Sequence, residues 1–326
     1  MFEFLKIPKC GELSIALQTM AGSSKALRLE GAITALVTPF VGHTKAIDFP
    51  ALRRIVDDQI ARGINGLLSM GSTGEFCTVT HDEHDKVNAA VVEYSAGRVP
   101  VIAGTGSNST IEAVRLTQAA KDAGAAACLV AAPYYNKPSQ RGMYEHFKAV
   151  QDVGLPVILY CNASRSGATM TMDTVAALAK LPHVVGWKEA TASLAQASDV
   201  AARTDLAIFA GDDVLTVPIM AIGGVGVTSV LLPTCTDVAP EKVLAITDAM
   251  RRGDYAGARA AHFACVRLVG LTHALFETEV NPQGVKKAME LLGYCSAACR
   301  LPLVEASAAS AAILTKQLQA DGLLEQ

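Results

Sequence analysis

A lysine stands directly after an apolar, β-branched run, in the segment formed by residues 184–188 (Val-Val-Gly-Trp-Lys). This pattern predicts that Lys188 lies at the carboxyl end of a buried parallel strand. Burial disfavours the ammonium form and therefore lowers the pKa of the lysine. Because a neutral amine can attack a carbonyl carbon and form a Schiff base, the sequence points first to nucleophilic catalysis on a carbonyl compound.

Polar segments that follow other apolar runs supply further parts of such a site. Residues 71–75 (Gly-Ser-Thr-Gly-Glu) predict a tight turn whose successive N–H groups can face one anion, with the hydroxyls of Ser72 and Thr73 beside them. A carboxylate fits this arrangement. Tyr160 ends another apolar run, and Arg165 follows five residues later. The remaining polar segments of this kind are residues 133–136, residues 211–213 and Thr228.

Each of these residues also has a purely structural interpretation. Lys188 could pair with Glu75 or Asp212. Tyr160 could be a core residue, and Arg165 could bridge to a loop carboxylate. Their joint occurrence at successive strand ends favours an active site over these separate explanations.

The elements that must position these residues form one repeated pattern. Short, continuous apolar runs, typical of strands covered on both faces, alternate with segments of helical periodicity. Eight strands are predicted, at residues 32–38, 66–70, 99–104, 127–132, 157–161, 184–188, 206–210 and 226–231. Strand and helix alternating eight times predict an α/β fold, the (β/α)8 TIM barrel, with the active site at the carboxyl ends of the strands.

Helix boundaries are readable at several points. Asp48 is expected to cap the first helix, which should end at Gly63. Residues 80–83 (Thr-His-Asp-Glu) predict a capping box, and residues 109–112 (Ser-Thr-Ile-Glu) predict a second one. Gly124 should end the helix that this second box begins.

Three regions are expected along the chain: a mobile N-terminal extension at residues 1–28, the barrel at 29–238 and a helical region at 239–326. The last region is too long for one closing helix. We therefore expect two or three extra C-terminal helices, interrupted at Asn281-Pro282 and at Leu301-Pro302.

Composition excludes several classes of function. The chain has 326 residues, of which 51% are hydrophobic, and a net charge of −3, so no basic field favours nucleic acid as a partner. No apolar run has the length needed to span a bilayer. The eight cysteines show no paired metal-ligand spacing, which indicates reduced thiols in a cytoplasmic protein. His81 and His84 have no evident third ligand, so no metal site is predicted.

Five ordered motifs resemble those of the dihydrodipicolinate synthases, which belong to the pyruvate-dependent class I aldolase superfamily together with N-acetylneuraminate lyase. The resemblance runs from about residue 31 to the C-terminus. The motifs that carry it are residues 71–75, 100–106, 133–136, 164–167 and 188–191.

The resemblance implies roles for individual residues. Lys188 would condense with the keto group of pyruvate, and Tyr160 would shuttle protons during formation of the Schiff base and the enamine. Ser72 and Tyr135 would extend this proton relay, with Tyr135 lent by a neighbouring subunit. The enamine would then attack L-aspartate 4-semialdehyde in the biosynthesis of lysine and diaminopimelate.

Binding residues follow from the same resemblance. Thr73 would hold the pyruvate carboxylate, and the backbone of Thr228 would contact pyruvate. Arg165 would bind the carboxylate of the semialdehyde, for which a bidentate guanidinium is better suited than a lysine. No metal or organic cofactor is implied, and the expected assembly is a cytoplasmic homotetramer.

A second, regulatory site is also implied. In lysine-inhibited members of the family, the positions matching five residues line a pocket for L-lysine between subunits. They are His81, His84, Asn108, Glu112 and Tyr134. Phe76 replaces a small polar residue there, and its bulk could block the pocket.

The sequence departs from the family in three further places. After Tyr160 it reads Cys-Asn-Ala where Asn-Val-Pro is usual, and loss of the proline is expected to loosen the loop that carries Arg165. Near the C-terminus it has Asn-Pro-Gln-Gly at residues 281–284 where Asn-Pro-x-Pro is usual, and Ser72 replaces the commoner threonine.

Two alternative functions remain open from sequence. One is another Schiff-base lyase of the superfamily, such as N-acetylneuraminate lyase or a 2-keto-3-deoxy sugar acid aldolase. Arg165 discriminates against this alternative, because sugar substrates require neutral hydrogen-bonding groups. The other is a barrel that binds a ligand without catalysing a reaction. The candidate nucleophile, the proton relay and the anion-binding turn at residues 71–75 all argue against this alternative.

Overall fold

Eight parallel strands form a closed barrel in which each strand pairs with its neighbours in chain order and the eighth pairs with the first. The computed structural model describes residues 29–229, 237–276 and 279–325, with side chains for all of these except 229 and 266–276. The predicted extension at residues 1–28 therefore lies outside the described residues, as do the last two residues of the predicted eighth strand. The strands are β1 (Gly31–Ala35), β2 (Gly66–Ser69), β3 (Val101–Gly104), β4 (Ala127–Ala131), β5 (Val157–Cys161), β6 (Val184–Glu189), β7 (Ala207–Ala210) and β8 (Gly226–Ser229).

The predicted fold class, a (β/α)8 barrel with C-terminal helices, is confirmed. Strand boundaries agree within three residues, and the largest difference is at β1, which ends at Ala35 instead of residue 38. Thr38 lies beyond the strand, and its hydroxyl donates to the Gly74 carbonyl at 2.7 Å, which ties the end of β1 to the turn after β2.

Apolar residues fill both sides of the sheet, which explains why the strands are continuous apolar runs. Neighbouring residues along β2 face opposite ways: Leu68 packs inside the barrel with Ile102 and Phe209, whereas Leu67 packs in the outer layer beneath the helices with Trp187. This alternation buries nearly every strand side chain, and it leaves the strand ends as the place where polar groups can meet a cavity.

Helices surround the barrel and continue beyond it. They are α1 (Phe49–Ala61), α2 (His81–Ser95), α3 (Thr110–Asp122), α4 (Gln140–Gln151), α5 (Ala163–Ser166), α6 (Met172–Leu178), α7 (Leu194–Arg203), α8 (Thr216–Ala221), α9 (Pro240–Arg251), α10 (Tyr255–Phe276), α11 (Gln283–Leu291) and α12 (Ala308–Ala320). The predicted interruptions at residues 281–282 and 301–302 fall between α10 and α11 and between α11 and α12.

Two of the three predicted caps are confirmed. The Asp48 side chain accepts from the Ala51 N–H at the start of α1, and Thr80 and Glu83 form a reciprocal capping box at the start of α2. The box predicted for residues 109–112 is wrong, because the Ser109 side chain accepts no capping hydrogen bond. Glu112 instead accepts a hydrogen bond from the Ser107 hydroxyl, a contact that tertiary packing makes available.

Candidate active site

A cavity of about 570 Å³ opens at the carboxyl ends of the strands. Its walls come from the loops after β2, β4 and β5 and from two C-terminal segments that flank α11. Among the residues that line it are Ser72, Tyr134, Tyr160, Arg165, Asn281 and Leu303. The active sites of barrel enzymes lie at this end of the strands, and the position of the cavity agrees with that rule.

Lys188 lies in β6 and is only 2% exposed. Among the described residues, its Nζ donates no hydrogen bond. Burial, opposed by the charge of Asp213 and assisted by that of Arg165, lowers the pKa of Lys188 to about 7. The neutral amine, which is the form that attacks carbonyl carbon, is therefore accessible near neutral pH. The structural alternative, pairing with Glu75, is excluded because Glu75 pairs with Lys286.

Tyr160 is the direct neighbour of Lys188 across the sheet. The two residues are register partners in β5 and β6, and the Lys188 Nζ lies 5.0 Å from the centre of the Tyr160 ring. The tyrosine is 8% exposed and lines the cavity, so it is placed between the amine and the space available to a substrate. A phenol in this position can donate or accept a proton during attack on a carbonyl group.

The segment at residues 71–75 forms the tight turn that its sequence predicts. The Gly74 and Glu75 N–H groups donate back to the Gly71 and Ser72 carbonyls at 3.0 and 3.1 Å. Within the described parts of the chain, the N–H groups of Ser72 and Thr73 donate to no protein acceptor. They are the two successive donors that a carboxylate requires.

The turn is held in a conformation that ordinary residues avoid. Met70 and Glu75, on either side of it, have φ values of 51° and 56°. Side chains in this region cost energy, and such strain persists only where the surroundings impose it. Gly104 in the adjacent strand is required for the same geometry, since a Cβ there would lie 2.1 Å from the Met70 carbonyl oxygen.

The C-terminal region supports this turn through two contacts that the sequence did not predict. Asn281 donates from Nδ2 to the Thr73 hydroxyl oxygen at 3.1 Å. Lys286 donates to the Glu75 carboxylate, with both side chains fully buried, and also to the Ala298 carbonyl at 2.8 Å. The sequence predicted only the interruption at residues 281–282. It could not predict these two contacts, because a local pattern does not show which residues meet when they are about 200 positions apart.

Arg165 lies in the short helix α5 and lines the cavity. The expected loosening of its loop is not what the structure shows. The Asn162 side chain caps the turn by accepting from the Arg165 N–H at 3.3 Å and from the Ser164 hydroxyl at 2.6 Å. An asparagine cap therefore restrains the segment in the absence of the proline.

Thr228 lies in β8 as the register partner of Ile33 and is 2% exposed. It therefore belongs to the closing strand of the barrel, which ends one residue later. Three residues after the end of β7, Asp213 is buried, and its negative charge acts to raise the pKa of Lys188. The sequence placed Asp213 at a strand end but could not show that it opposes the effect of burial on the lysine.

The two adjacent tyrosines after β4 differ sharply. Tyr134 lines the cavity, whereas Tyr135 is 88% exposed, with φ of 68°. A large aromatic side chain held in a strained, exposed conformation is typical of a residue that meets a partner surface. In the single chain, the structure thus brings Ser72 and Tyr160 to one cavity, with Lys188 beside Tyr160, whereas Tyr135 does not line it.

Four of the five residues of the implied regulatory site form a group beside Tyr134. Glu112 contacts the His81 imidazole. Burial raises the pKa of the Tyr134 phenol, and the negative charge of Glu112 adds to this rise. The Asn108 backbone also interacts with that phenol. His84 is instead buried at 3% exposure, where desolvation lowers its pKa to about 4.

Phe76 occupies part of the space beside this group. Its ring packs edge-on against Tyr134, with ring centres 6.1 Å apart. The wall between the group and the substrate cavity is therefore aromatic, since Phe76 and Tyr134 both line the cavity.

The described residues, 29–229, 237–276 and 279–325, contain neither a membrane-spanning helix nor a cluster of metal ligands. No helix there is both long enough and apolar enough to cross a membrane. No group of three or more histidine, cysteine or acidic residues in that part of the chain is arranged to hold a metal ion.

Comparison with known proteins gives consistent results. The sequence profile described as the dihydrodipicolinate synthetase family matches residues 28–321. A relative from Syntrophus aciditrophicus named 4-hydroxy-tetrahydrodipicolinate synthase is 44% identical over 298 residues, which are 90% of this chain and 99% of the relative.

Solved structures resemble the fold closely. Dihydrodipicolinate synthase from Aquifex aeolicus superposes with a TM-score of 0.86 at 38% identity, covering 91% of this chain and all of the other. The chloride-inhibited synthase from Acinetobacter baumannii, solved in complex with pyruvate, gives a TM-score of 0.85 at 33% identity, with 91% and 100% of the two chains covered.

Proposed function

Since the chain belongs to the dihydrodipicolinate synthetase family and is a lyase of the class I aldolase type, we propose that it condenses pyruvate with L-aspartate 4-semialdehyde through a Schiff base on Lys188. One observation carries this proposal: Lys188 is buried at the barrel mouth beside Tyr160, and its pKa is lowered to about 7. The product is 4-hydroxy-tetrahydrodipicolinate, an intermediate on the route to diaminopimelate and lysine.

Pyruvate binds first in the turn at residues 71–75. Its carboxylate accepts from the N–H groups of Ser72 and Thr73 and from the Thr73 hydroxyl, and the Thr228 backbone contacts the same substrate. This places the keto carbon towards the Lys188 amine. The support is the pair of unused N–H donors and the burial of Thr73, which is 1% exposed.

The covalent step forms one C–N bond and releases water. The neutral Lys188 amine attacks the keto carbon, Tyr160 delivers a proton to the oxygen, and loss of hydroxide as water leaves the imine. Removal of a proton from the methyl carbon then gives the enamine. Ser72 and Tyr135 relay these protons beyond Tyr160.

The second substrate is an aldehyde that carries a carboxylate. The enamine carbon attacks the aldehyde carbon of aspartate semialdehyde, and the amino group of that substrate then displaces Lys188 as the ring closes. Arg165, at the cavity wall, binds the carboxylate of the semialdehyde. A sugar-acid lyase, the alternative considered from sequence, would instead require neutral hydrogen-bonding groups at this wall.

The complete site requires more than one subunit. Tyr135 is 88% exposed in the single chain, so it can act only in a cavity that a neighbouring chain presents to it. We therefore propose a homotetramer, built from dimers that exchange this tyrosine, working in the cytoplasm.

We also propose L-lysine as a regulatory ligand at His81, His84, Asn108, Glu112 and Tyr134. The support is the carboxylate of Glu112 beside the His81 imidazole and the Tyr134 phenol, groups that suit an amino acid. A lysine titration of the initial rate tests this, and a rate that is unchanged at millimolar lysine overturns it. Phe76→Ser provides a matched comparison, because it removes the ring that packs against Tyr134.

The decisive experiment for the reaction is a rate measurement with pyruvate and aspartate semialdehyde, coupled to dihydrodipicolinate reductase and followed by loss of NADPH. Robust turnover is expected. Absence of turnover, with pyruvate still trapped on the protein by borohydride, would retain the Schiff base and assign a sugar-acid lyase. Absence of both would overturn the proposed chemistry. Arg165→Ala should raise KM for the semialdehyde far more than KM for pyruvate, whereas equal losses would contradict its role.

A further inference from the structure

Asn281 reaches the floor of the substrate cavity from the C-terminal region. It lines the cavity, and its Nδ2 donates to the Thr73 hydroxyl oxygen at 3.1 Å, across 208 residues of sequence. We infer that Asn281 is a positioning residue for pyruvate, which orients the Thr73 hydroxyl so that its hydrogen points at the substrate carboxylate. The inference rests on the proposed function, because it assigns a determinant of substrate affinity to the same site.

The hydrogen-bonding capacity of the two groups explains this effect. A hydroxyl has one hydrogen to donate and two lone pairs, whereas an amide nitrogen can only donate. When Asn281 donates to the Thr73 oxygen, the threonine hydrogen is left for another acceptor. No side chain or carbonyl among the described residues accepts it, and a pyruvate carboxylate held by the N–H groups of Ser72 and Thr73 is the acceptor that the proposed function supplies.

Threonine is suited to this arrangement because its side chain is stiff. The branched Cβ restricts χ1, and Thr73 is only 1% exposed, so the oxygen cannot move to a different partner without a change in packing. The remaining freedom is rotation of the hydroxyl hydrogen. The amide of Asn281 removes that freedom before the substrate arrives, which lowers the cost of ordering the site on binding.

The amide is itself held in place by the helices that follow it. Next to Asn281, the Val280 N–H donates to the Gln283 side chain at 2.8 Å, and Gln283 in turn donates to Glu279 at 3.2 Å. Glu279 also accepts from the Ser307 N–H and the Ser310 hydroxyl, each at 2.8 Å, which fixes this turn to the start of α12.

A second contact joins the same two regions one helical turn further on. Lys286 in α11 pairs with the Glu75 carboxylate, whose other oxygen accepts from the Arg300 N–H at 3.0 Å. The C-terminal region therefore holds the turn at residues 71–75 by hydrogen bonds at both Thr73 and Glu75. This rigid attachment is why Asn281 can orient Thr73 without being in the barrel.

Two substitutions of Asn281 test whether its amide orients the Thr73 hydroxyl. Asn281→Leu removes the donor at similar size and should raise KM for pyruvate roughly tenfold, as for loss of one hydrogen bond to a charged group, with kcat little changed. Asn281→Asp should raise it further, on the order of 100-fold, because a carboxylate accepts the threonine hydrogen and also repels the substrate. KM for the semialdehyde should change less than twofold in both.

A double-mutant cycle with Thr73→Val tests the route of the effect. If Asn281 acts through the hydroxyl, Asn281→Leu should have little further effect on pyruvate KM in the Thr73→Val background. A tenfold effect of Asn281→Leu in both backgrounds would overturn the inference. If Thr73→Val alone leaves pyruvate KM unchanged, the proposed carboxylate site fails and the inference fails with it. If Thr73→Val raises KM but neither Asn281 variant does, the inference alone fails.

Two controls keep the result interpretable. Ile313→Ala alters an exposed side chain of α12 that does not line the cavity, and should leave pyruvate KM within about twofold. Thermal unfolding of each variant reports folding. If Asn281→Leu lowers Tm by more than a few degrees, the isosteric Asn281→Asp variant decides alone, and a pyruvate KM like that of the unmodified chain then overturns the inference.

Discussion

Two buried lysines, Lys188 in β6 and Lys286 in α11, have different surroundings. Lys286 is fully buried, pairs with Glu75 and donates to the Ala298 carbonyl. Lys188 is 2% exposed and has no hydrogen-bond acceptor among the described residues. Burial is nearly equal in the two cases, so burial alone does not decide what a lysine does.

The difference lies in the supply of negative charge and of acceptors. Beside Lys286, a carboxylate and a carbonyl replace the water that the ammonium group has lost, and the aromatic ring of Phe40 lies 4.1 Å from its Nζ. Beside Lys188, Asp213 compensates only in part and Arg165 adds a like charge, so the pKa is lowered to about 7. The first environment stabilises the fold, and the second produces a nucleophile.

Removal of the two lysines should therefore have opposite consequences. Lys188→Met should reduce turnover by at least roughly 10⁴-fold, because it removes the amine that is proposed to form the Schiff base. The free energy of unfolding should rise at neutral pH, by about 1–4 kcal/mol, because a poorly solvated ammonium group is removed. Steady-state rates and chemical denaturation measure the two effects, and residual turnover close to that of the unmodified chain would reject Lys188 as the nucleophile.

Lys286→Met should damage the fold first. It leaves the Glu75 carboxylate buried without its main partner, which should lower the free energy of unfolding by about 3–5 kcal/mol. Glu75→Gln combined with Lys286→Met should recover part of this loss, because the uncompensated charge is then removed. Urea denaturation measures both variants, and a single variant as stable as the unmodified chain would show that the pair does not hold the turn.

The pH dependence of Schiff-base formation should follow Lys188. Its pKa in the folded protein, about 7, lies below the ordinary lysine value of 10.5, so the neutral form is lost as pH falls through 7. The rate of pyruvate trapping by borohydride should then decrease by about tenfold per pH unit well below 7. A rate that is constant between pH 5 and 8 would contradict the lowered pKa. Folding stability should rise as pH increases from about 7 to 10.5, because the folded chain has then released a proton that the unfolded chain still holds, and this lysine should add no pH dependence below 7.

Arg165→Leu should have a smaller effect, on the pKa of Lys188. Removing its positive charge takes away one of the influences that lower the Lys188 pKa, so the acidic limb of the pH profile should shift to higher pH. Arg165→Lys retains the charge and serves as the matched control, with little shift expected. An unchanged limb in Arg165→Leu would show that burial alone sets the pKa.

Local sequence patterns were sufficient for one of the two lysines. Lys188 follows an apolar run, and a residue at that point of a parallel strand must reach the barrel mouth, so both its position and its chemistry were predictable. Lys286 follows Val285 in an ordinary amphipathic helix, and no local pattern distinguishes it from an exposed lysine. The false capping box at residues 109–112 has the same cause: the motif was present, but Ser107 and His81 were better placed to contact Glu112.

The sequence by itself determined the eight strands, their closure into a barrel and the strand-end residues at its mouth, because the strand period and apolar runs allow few other arrangements. Only the tertiary structure decided which polar groups pair across that mouth. From sequence, Glu75 was a possible partner of Lys188, whereas the packing of α11 against the turn pairs it with Lys286. The physical reason is that hydrogen bonds and ion pairs act over a few ångströms, while the residues that form them are separated by more than 200 positions.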